Sequence, residues 1–75
     1  MLVIRSQFRV LLAQKAQSEG RTISLREVTR EAGVPISTVL GLANNTIKEV
    51  PLEPLAALCR YLHCDVGEIL KLEER

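Results

Sequence analysis

Residues 24–45 read SLREVTREAGVPISTVLGLANN, and the order of caps and breakers in this stretch decides the fold. Ser24 can accept a hydrogen bond from the free amides at a helix start. Glu27, three residues on, can return one to the Ser24 amide, which makes a capping box. A helix therefore begins near Leu25. Leu25, Val28 and Ala32 fall on one stripe at helical spacing, while Arg26, Glu27, Arg30 and Glu31 fall on the other. Gly33 follows the last stripe residue as a left-handed cap, because without a side chain it reaches positive φ at no steric cost. Pro35 fits the first position of a helix, where its missing amide hydrogen costs nothing. A second helix thus starts at Pro35 or Ile36 and runs to Ala43 or Asn44. Asn45 suits the next left-handed turn.

Two helices joined by three or four residues that include a glycine match the helix-turn-helix motif, whose second helix reads the DNA major groove. The same pattern would also serve a plain helical bundle. On the second helix Val39, Leu42 and Ala43 are expected to point inward. Ile36, Ser37, Thr38, Leu40 and Gly41 are expected to face solvent or DNA. No Arg, Lys, Gln or Asn lies on that face before Asn44, so the bidentate pairs that read guanine and adenine are missing from its first two turns. Ser37 and Thr38 can donate to phosphate or base acceptors. Ile36 and Leu40 can lie against thymine methyls or pack into a partner protein, and Gly41 lets the helix approach closely.

Working outward, the 75 residues make one small domain, residues 1–75, close to the lower size at which a single core folds without staples. The chain is 47% hydrophobic, but Phe8 and Tyr61 are its only aromatic residues, so the core must be aliphatic. No run approaches the ~18 apolar residues of a membrane span, and Met1 to Ile4 is too short for a secretory signal, so the chain is expected to be soluble and cytoplasmic. Formal charge is only +1, yet it is unevenly placed. Seven basic and three acidic residues lie in 1–48, net +4, against three basic and six acidic in 49–75, net −3. A basic half bearing the reading helix would suit phosphate binding, and ordinary surface charge would look the same.

Met1 to Ile4 could be a short strand or the first turn of a helix, with the strand favoured. Ser6 is placed to cap a first helix carrying Phe8, Leu11, Leu12 and Ala16 inward, with Arg5 and Arg9 on its outer side and Gly20 as its stop. Ile23, just before the Ser24 cap, is placed as a hydrophobic staple. Pro51 ends the connection after Asn45. A fourth helix starts at Leu52 or Glu53, with Leu55, Leu58, Cys59 and Leu62 inward and His63 closing it. Asp65 then caps a short fifth helix, VGEILKL, with Glu68 as its capping-box partner and Val66, Ile69 and Leu70 inward. The fold expected is all-α, a five-helix bundle.

Cys59, His63 and Cys64 raise the question of a metal. A structural zinc site normally needs four ligands from paired motifs, and the chain has no second Cys or His pair, so both cysteines are read as buried, reduced thiols. The single His has no nucleophile partner, and the glycines are too scattered for a phosphate loop. Neither catalysis nor a cofactor is expected.

With that order in place, the whole chain resembles the lambda-repressor-like, XRE-type (Cro-type) helix-turn-helix family of bacteria and phages. The resemblance rests on S-L-R-E-V-x-R-E-A-G-V-P-x-S-T-V and on the later P-L-E-P-L-A-A-L-C-R-Y-L-H-C-D-V-G-E-I-L, the latter especially close to a small one-domain subgroup. It implies a nucleoid-associated transcriptional regulator of bacterial or phage origin, frequently a homodimer on a palindromic operator, with both cysteines in the core and often an N-terminal strand. Carried over by position, Ile36, Ser37, Thr38 and Gly41 fall where the family reads bases. Asn44, Asn45 and Lys48 fall at the end of the reading helix and the loop that touches backbone, and Ser24 and Arg26 where the preceding helix start meets phosphate. Leu25 stands where many relatives carry Gln. Ala43 stands where several phage repressors carry Glu, which removes the pairing of that Glu with an arginine of the first helix. Few cations are available to a monomer, so dimerisation is expected, and the apolar fourth and fifth helices are taken as its surface. A protein-interaction module or antitoxin-type adaptor is the alternative.

Overall fold

The computed structural model describes all 75 residues. The elements run β1 (Leu2–Ser6), α1 (Phe8–Glu19), α2 (Leu25–Ala32), α3 (Ile36–Ala43), α4 (Leu52–Leu62), α5 (Val66–Ile69) and β2 (Leu70–Glu74). The local signals act as read. Ser24 and Asp65 each close a capping box, with Glu27 and Glu68. Gly33 ends α2 at φ 70°. Asn45 (φ 55°) and His63 (φ 54°) take left-handed turns after α3 and α4.

Phe8, Leu12, Ile23, Val28, Val34 and Val39 join Leu42, Ala43, Leu55, Leu58, Leu62 and Ile69 in one buried cluster. Every helix contributes to it. Full burial of a side chain of this size stabilises by about 1.5–3 kcal/mol, which is what holds helices of one to about three turns that would fray alone. Packing α2 on α3 and α4 fixes the orientation of α3.

Three expectations need correction. The fifth helix is a single turn, and Leu70 to Glu74 form a strand antiparallel to β1, with Ile4 opposite Leu72 and Ser6 opposite Leu70. Antiparallel pairing supplies backbone partners that a lone helical turn could not, and a partner some seventy residues away leaves no local trace. Val66, expected inward, is half exposed. Secondly, Ser6 belongs to the strand and Gln7 is the cap position. Ser6 Oγ still accepts the Phe8 amide at 3.1 Å, and the Gln7 amide donates to the Ile69 carbonyl at 2.8 Å, pinning the start of α1 to the end of α5. Arg5 accordingly lies on β1, not on the first helix. Thirdly, the apolar stripes of α4 and α5 face the core through Leu55, Leu58, Leu62 and Ile69, which leaves Leu52 and Val66 as the large apolar side chains these helices expose.

Candidate nucleic-acid interface

α3 is a mostly buried helix with one open stripe. At about 100° per residue, Ile36, Ser37, Leu40 and Asn44 fall within about 100° of arc. All four are exposed, Ile36 by 41% and Leu40 by 42%. Val39, Leu42 and Ala43 are buried, as their spacing requires.

Thr38 and Gly41 are not on this stripe. Thr38 is only 5% exposed. Gly41 is buried against the loop that follows α3, where an added Cβ would lie 2.7 Å from Ile47 Cβ. The absence of a side chain at Gly41 therefore admits Ile47, not a DNA groove. The loop is held there by the Thr46 and Ile47 amides, which donate to the Gly41 carbonyl at 3.0 and 3.3 Å.

At the far end of α3 the side chains are partly engaged. Arg9 Nε donates to the Ala43 carbonyl at 2.7 Å and Arg9 Nη2 to Asn44 Oδ1 at 3.0 Å. Asn45 Oδ1 accepts the Ser6 amide at 2.6 Å. Each Oδ1 accepts one hydrogen bond there, which fixes how the amide is turned and leaves its NH2 group free to donate to a phosphate or a base acceptor. The first-helix arginine thus finds a backbone carbonyl at position 43 in place of a side chain. Sequence reading missed this, since a carbonyl has no residue signature.

Ser24, at the start of α2, is similarly half-occupied. Its Oγ accepts the Glu27 amide at 3.1 Å, and its amide donates to Glu27 Oε1 at 3.3 Å. The hydroxyl hydrogen remains to donate outward.

Much of the basic charge of residues 1–48 is neutralised internally. Lys15 pairs with Glu19 at 2.7 Å, and Arg21 reaches Glu19 at 2.9 Å, Glu27 at 2.6 Å and Glu31 at 3.6 Å. Tyr61 joins this network by donating to Glu31 Oε1 at 2.6 Å beneath the Lys15 ammonium. Hydrogen bonds from Lys15 and then Arg21 hold the Glu19 carboxyl below its usual range, and Arg21 followed by the Ser24 amide does the same for Glu27. Burial, then Glu31, pushes the Tyr61 hydroxyl up. Arg5 pairs with Glu73 at 3.5 Å. Arg26, Arg30 and Lys48 are left exposed and without an ion pair. Arg30 lies one turn beyond Arg26 on α2, the spacing that could have marked it as a second phosphate-facing cation.

Cys59, His63 and Cys64 close the end of α4. The Cys64 amide donates to the Cys59 carbonyl at 2.9 Å and the His63 amide to the Arg60 carbonyl at 3.3 Å, the two bonds of a Schellman motif. The thiols supply the apolar contact that accompanies this motif. Burial and then the Cys59 thiol push the Cys64 thiol up to about 11, away from the reactive thiolate. No group of three His, Cys, Asp or Glu side chains is placed to hold a metal ion. No helix is long and apolar enough to cross a membrane.

Comparison with known proteins agrees with this geometry. A crystal structure of the transcriptional regulator VanUg superposes with a TM-score of 0.66 at 26% identity, covering 99% of this chain and 89% of that one. No curated protein sequence matches the chain. The family description Cro/C1-type HTH DNA-binding domain matches residues 9–75, from Arg9 near the start of α1 to Arg75, the residue after β2. The chain belongs to the Cro/C1-type helix-turn-helix DNA-binding domains.

Proposed function

We propose that the chain is a sequence-specific regulator of transcription that acts as a repressor, binding double-stranded DNA as a homodimer in the cytoplasm of a bacterium or of a phage-infected cell. The observation that carries this reading is the single open stripe of α3, Ile36, Ser37 and Leu40, on a helix whose other faces are buried. In the major groove Ser37 donates to a base or phosphate oxygen, while Ile36 and Leu40 lie against thymine methyls. Asn44 sits at the groove edge. Ser24, Asn45, Arg26 and Lys48 hold phosphates, and Arg30 extends that row. Thr38 and Gly41 support the stripe from behind. Only three cations in the phosphate row, Arg26, Arg30 and Lys48, give a monomer little affinity, which favours two chains on two half-sites.

Selection of a random double-stranded DNA pool on the purified protein tests this, followed by a salt titration of the winning sequence. An enriched palindrome is the expected result. The two large apolar side chains on the stripe favour a second reading, a protein-interaction module that docks Ile36 and Leu40 into a partner. The absence of any enriched sequence at low salt would select that reading.

A further inference from the structure

The DNA reading leaves the two-stranded ribbon without a task. Side chains alternate across a strand, so the observed register puts Leu2, Ile4, Leu70 and Leu72 on one face and Val3, Arg5, Lys71 and Glu73 on the other. The charged face is closed by its own Arg5–Glu73 pair. The apolar face is open, with Leu2 59% and both Ile4 and Leu72 63% exposed. Towards the body of the protein it continues into a trough whose apolar lining is Ile4, Leu42, Ile47, Val50 and Leu70, with Ser6, Asn45 and Lys48 on its polar side. A two-stranded ribbon is marginal in water unless a face is covered.

We propose that this face is the contact between two copies of the chain. The Ile4–Leu72 pair is the middle of the five cross-strand pairs, so a two-fold axis through it lays the apolar patch on itself, as an isologous interface requires. Charge does not oppose the contact. Glu74, the only charged side chain on this face of the ribbon, is already paired with the Met1 amino group at 3.2 Å, and the exposed Lys48 beside the trough can keep its ammonium in solvent at the rim.

The area also fits. At about 30 Å² per methylene, the exposed parts of Leu2, Ile4 and Leu72 present roughly 220 Å² of apolar surface per chain, and the neighbouring Met1, 85% exposed, raises this to about 300 Å². Interfaces are about 60% apolar, so two chains would bury on the order of 1,000 Å² in total, the lower limit of specific association. The dimer is accordingly weak and concentration-dependent. One further argument rests on the DNA reading above: the ribbon is tied to the end of α3 by the Ser6–Asn45 bond, so chains joined here carry their reading helices as a pair.

Sedimentation equilibrium of the full chain without DNA, from micromolar to millimolar concentration, tests the proposal. The wild type is expected to show a reversible monomer–dimer equilibrium. Ile4→Asp and Leu72→Asp should each weaken it about tenfold or more, whereas Leu52→Asp, at an exposed position on α4, should leave it unchanged. Dilution of the labelled wild type, followed by amide NMR shifts, needs no variant and should mark Leu2, Ile4 and Leu72. A wild type that stays monomeric throughout, shifts that map elsewhere, or Asp variants that dimerise like the wild type would each overturn the proposal. A monomer that still enriches a DNA sequence would sink this face alone, while a ribbon-mediated dimer that enriches none would sink the DNA reading alone.

Discussion

Arg9 on α1 and Asn44 at the end of α3 are joined by a 3.0 Å hydrogen bond, while the same guanidinium holds the Ala43 carbonyl at 2.7 Å. The cation meets the negative end of the helix dipole and one of its unpaired carbonyls. Arg9→Ala should therefore cost about 1–2 kcal/mol, read from urea unfolding. Arg9→Lys should recover only part of that loss, because an ammonium cannot copy the two-point fork. Equal stability of Arg9→Ala and wild type would show that the bond contributes nothing.

Gly41→Ala should destabilise by about 1–3 kcal/mol, because the new methyl group meets Ile47 Cβ at 2.7 Å and the loop must move. Ser37→Ala, on the open stripe of the same helix, should stay within about 0.5 kcal/mol. Thermal melts of the two variants separate a packing role for Gly41 from one in which it faces the solvent.

Thr29 Oγ1 is a buried hydroxyl oxygen without a hydrogen-bond partner. Thr29→Val keeps the shape and removes the unsatisfied group, so it should be neutral or stabilise by up to about 1 kcal/mol. A fall in the melting temperature would mean that the hydroxyl has a partner in solution.

Glu19 and Glu27 titrate below their ordinary range in the folded protein. A depressed folded pKa gives stability that is present above the unfolded carboxylate value and is lost as pH falls through the folded one. The melting temperature should therefore decline from about pH 5 downward. Arg21→Gln should flatten that decline, since Arg21 reaches both carboxylates. The effect is small at such exposed pairs. An unchanged acid profile in Arg21→Gln would place the titration elsewhere.

On DNA, Arg26→Ala, Arg30→Ala and Lys48→Ala should each weaken binding to all sequences alike and reduce the salt slope by about 1. Ile36→Ala and Leu40→Ala should instead change which sequences are preferred. Loss of affinity without a change of slope at the three cations would remove them from the phosphate row.

The parts of this fold legible in the sequence are those set by neighbours along the chain. Ser24 with Glu27, Asp65 with Glu68, Gly33, Asn45 and His63 all act within four residues, and each cap stands where its chemistry put it. The features that escaped depend on distant partners. β2 exists because β1 is there to pair with it, Gly41 is buried because Ile47 folds back over it, and Arg9 is engaged because a carbonyl lies within reach. At the candidate site, the open stripe of α3 was half legible. Period alone placed Ile36, Ser37 and Leu40 outward, but it could not show that the following loop covers the side occupied by Thr38 and Gly41.

The ribbon also bears on the order in which the molecule assembles. Residues 2–6 pair with residues 70–74, so each of its bonds closes a loop of nearly the entire polypeptide. The contacts between α2 and α3 join helices separated by a turn of only three residues. Closure entropy and slow search both grow with that separation, so the helical body is expected to condense first and the ribbon to zip last. Its amides should then exchange with solvent faster than those of α3 and α4, because the final contacts formed are the first released.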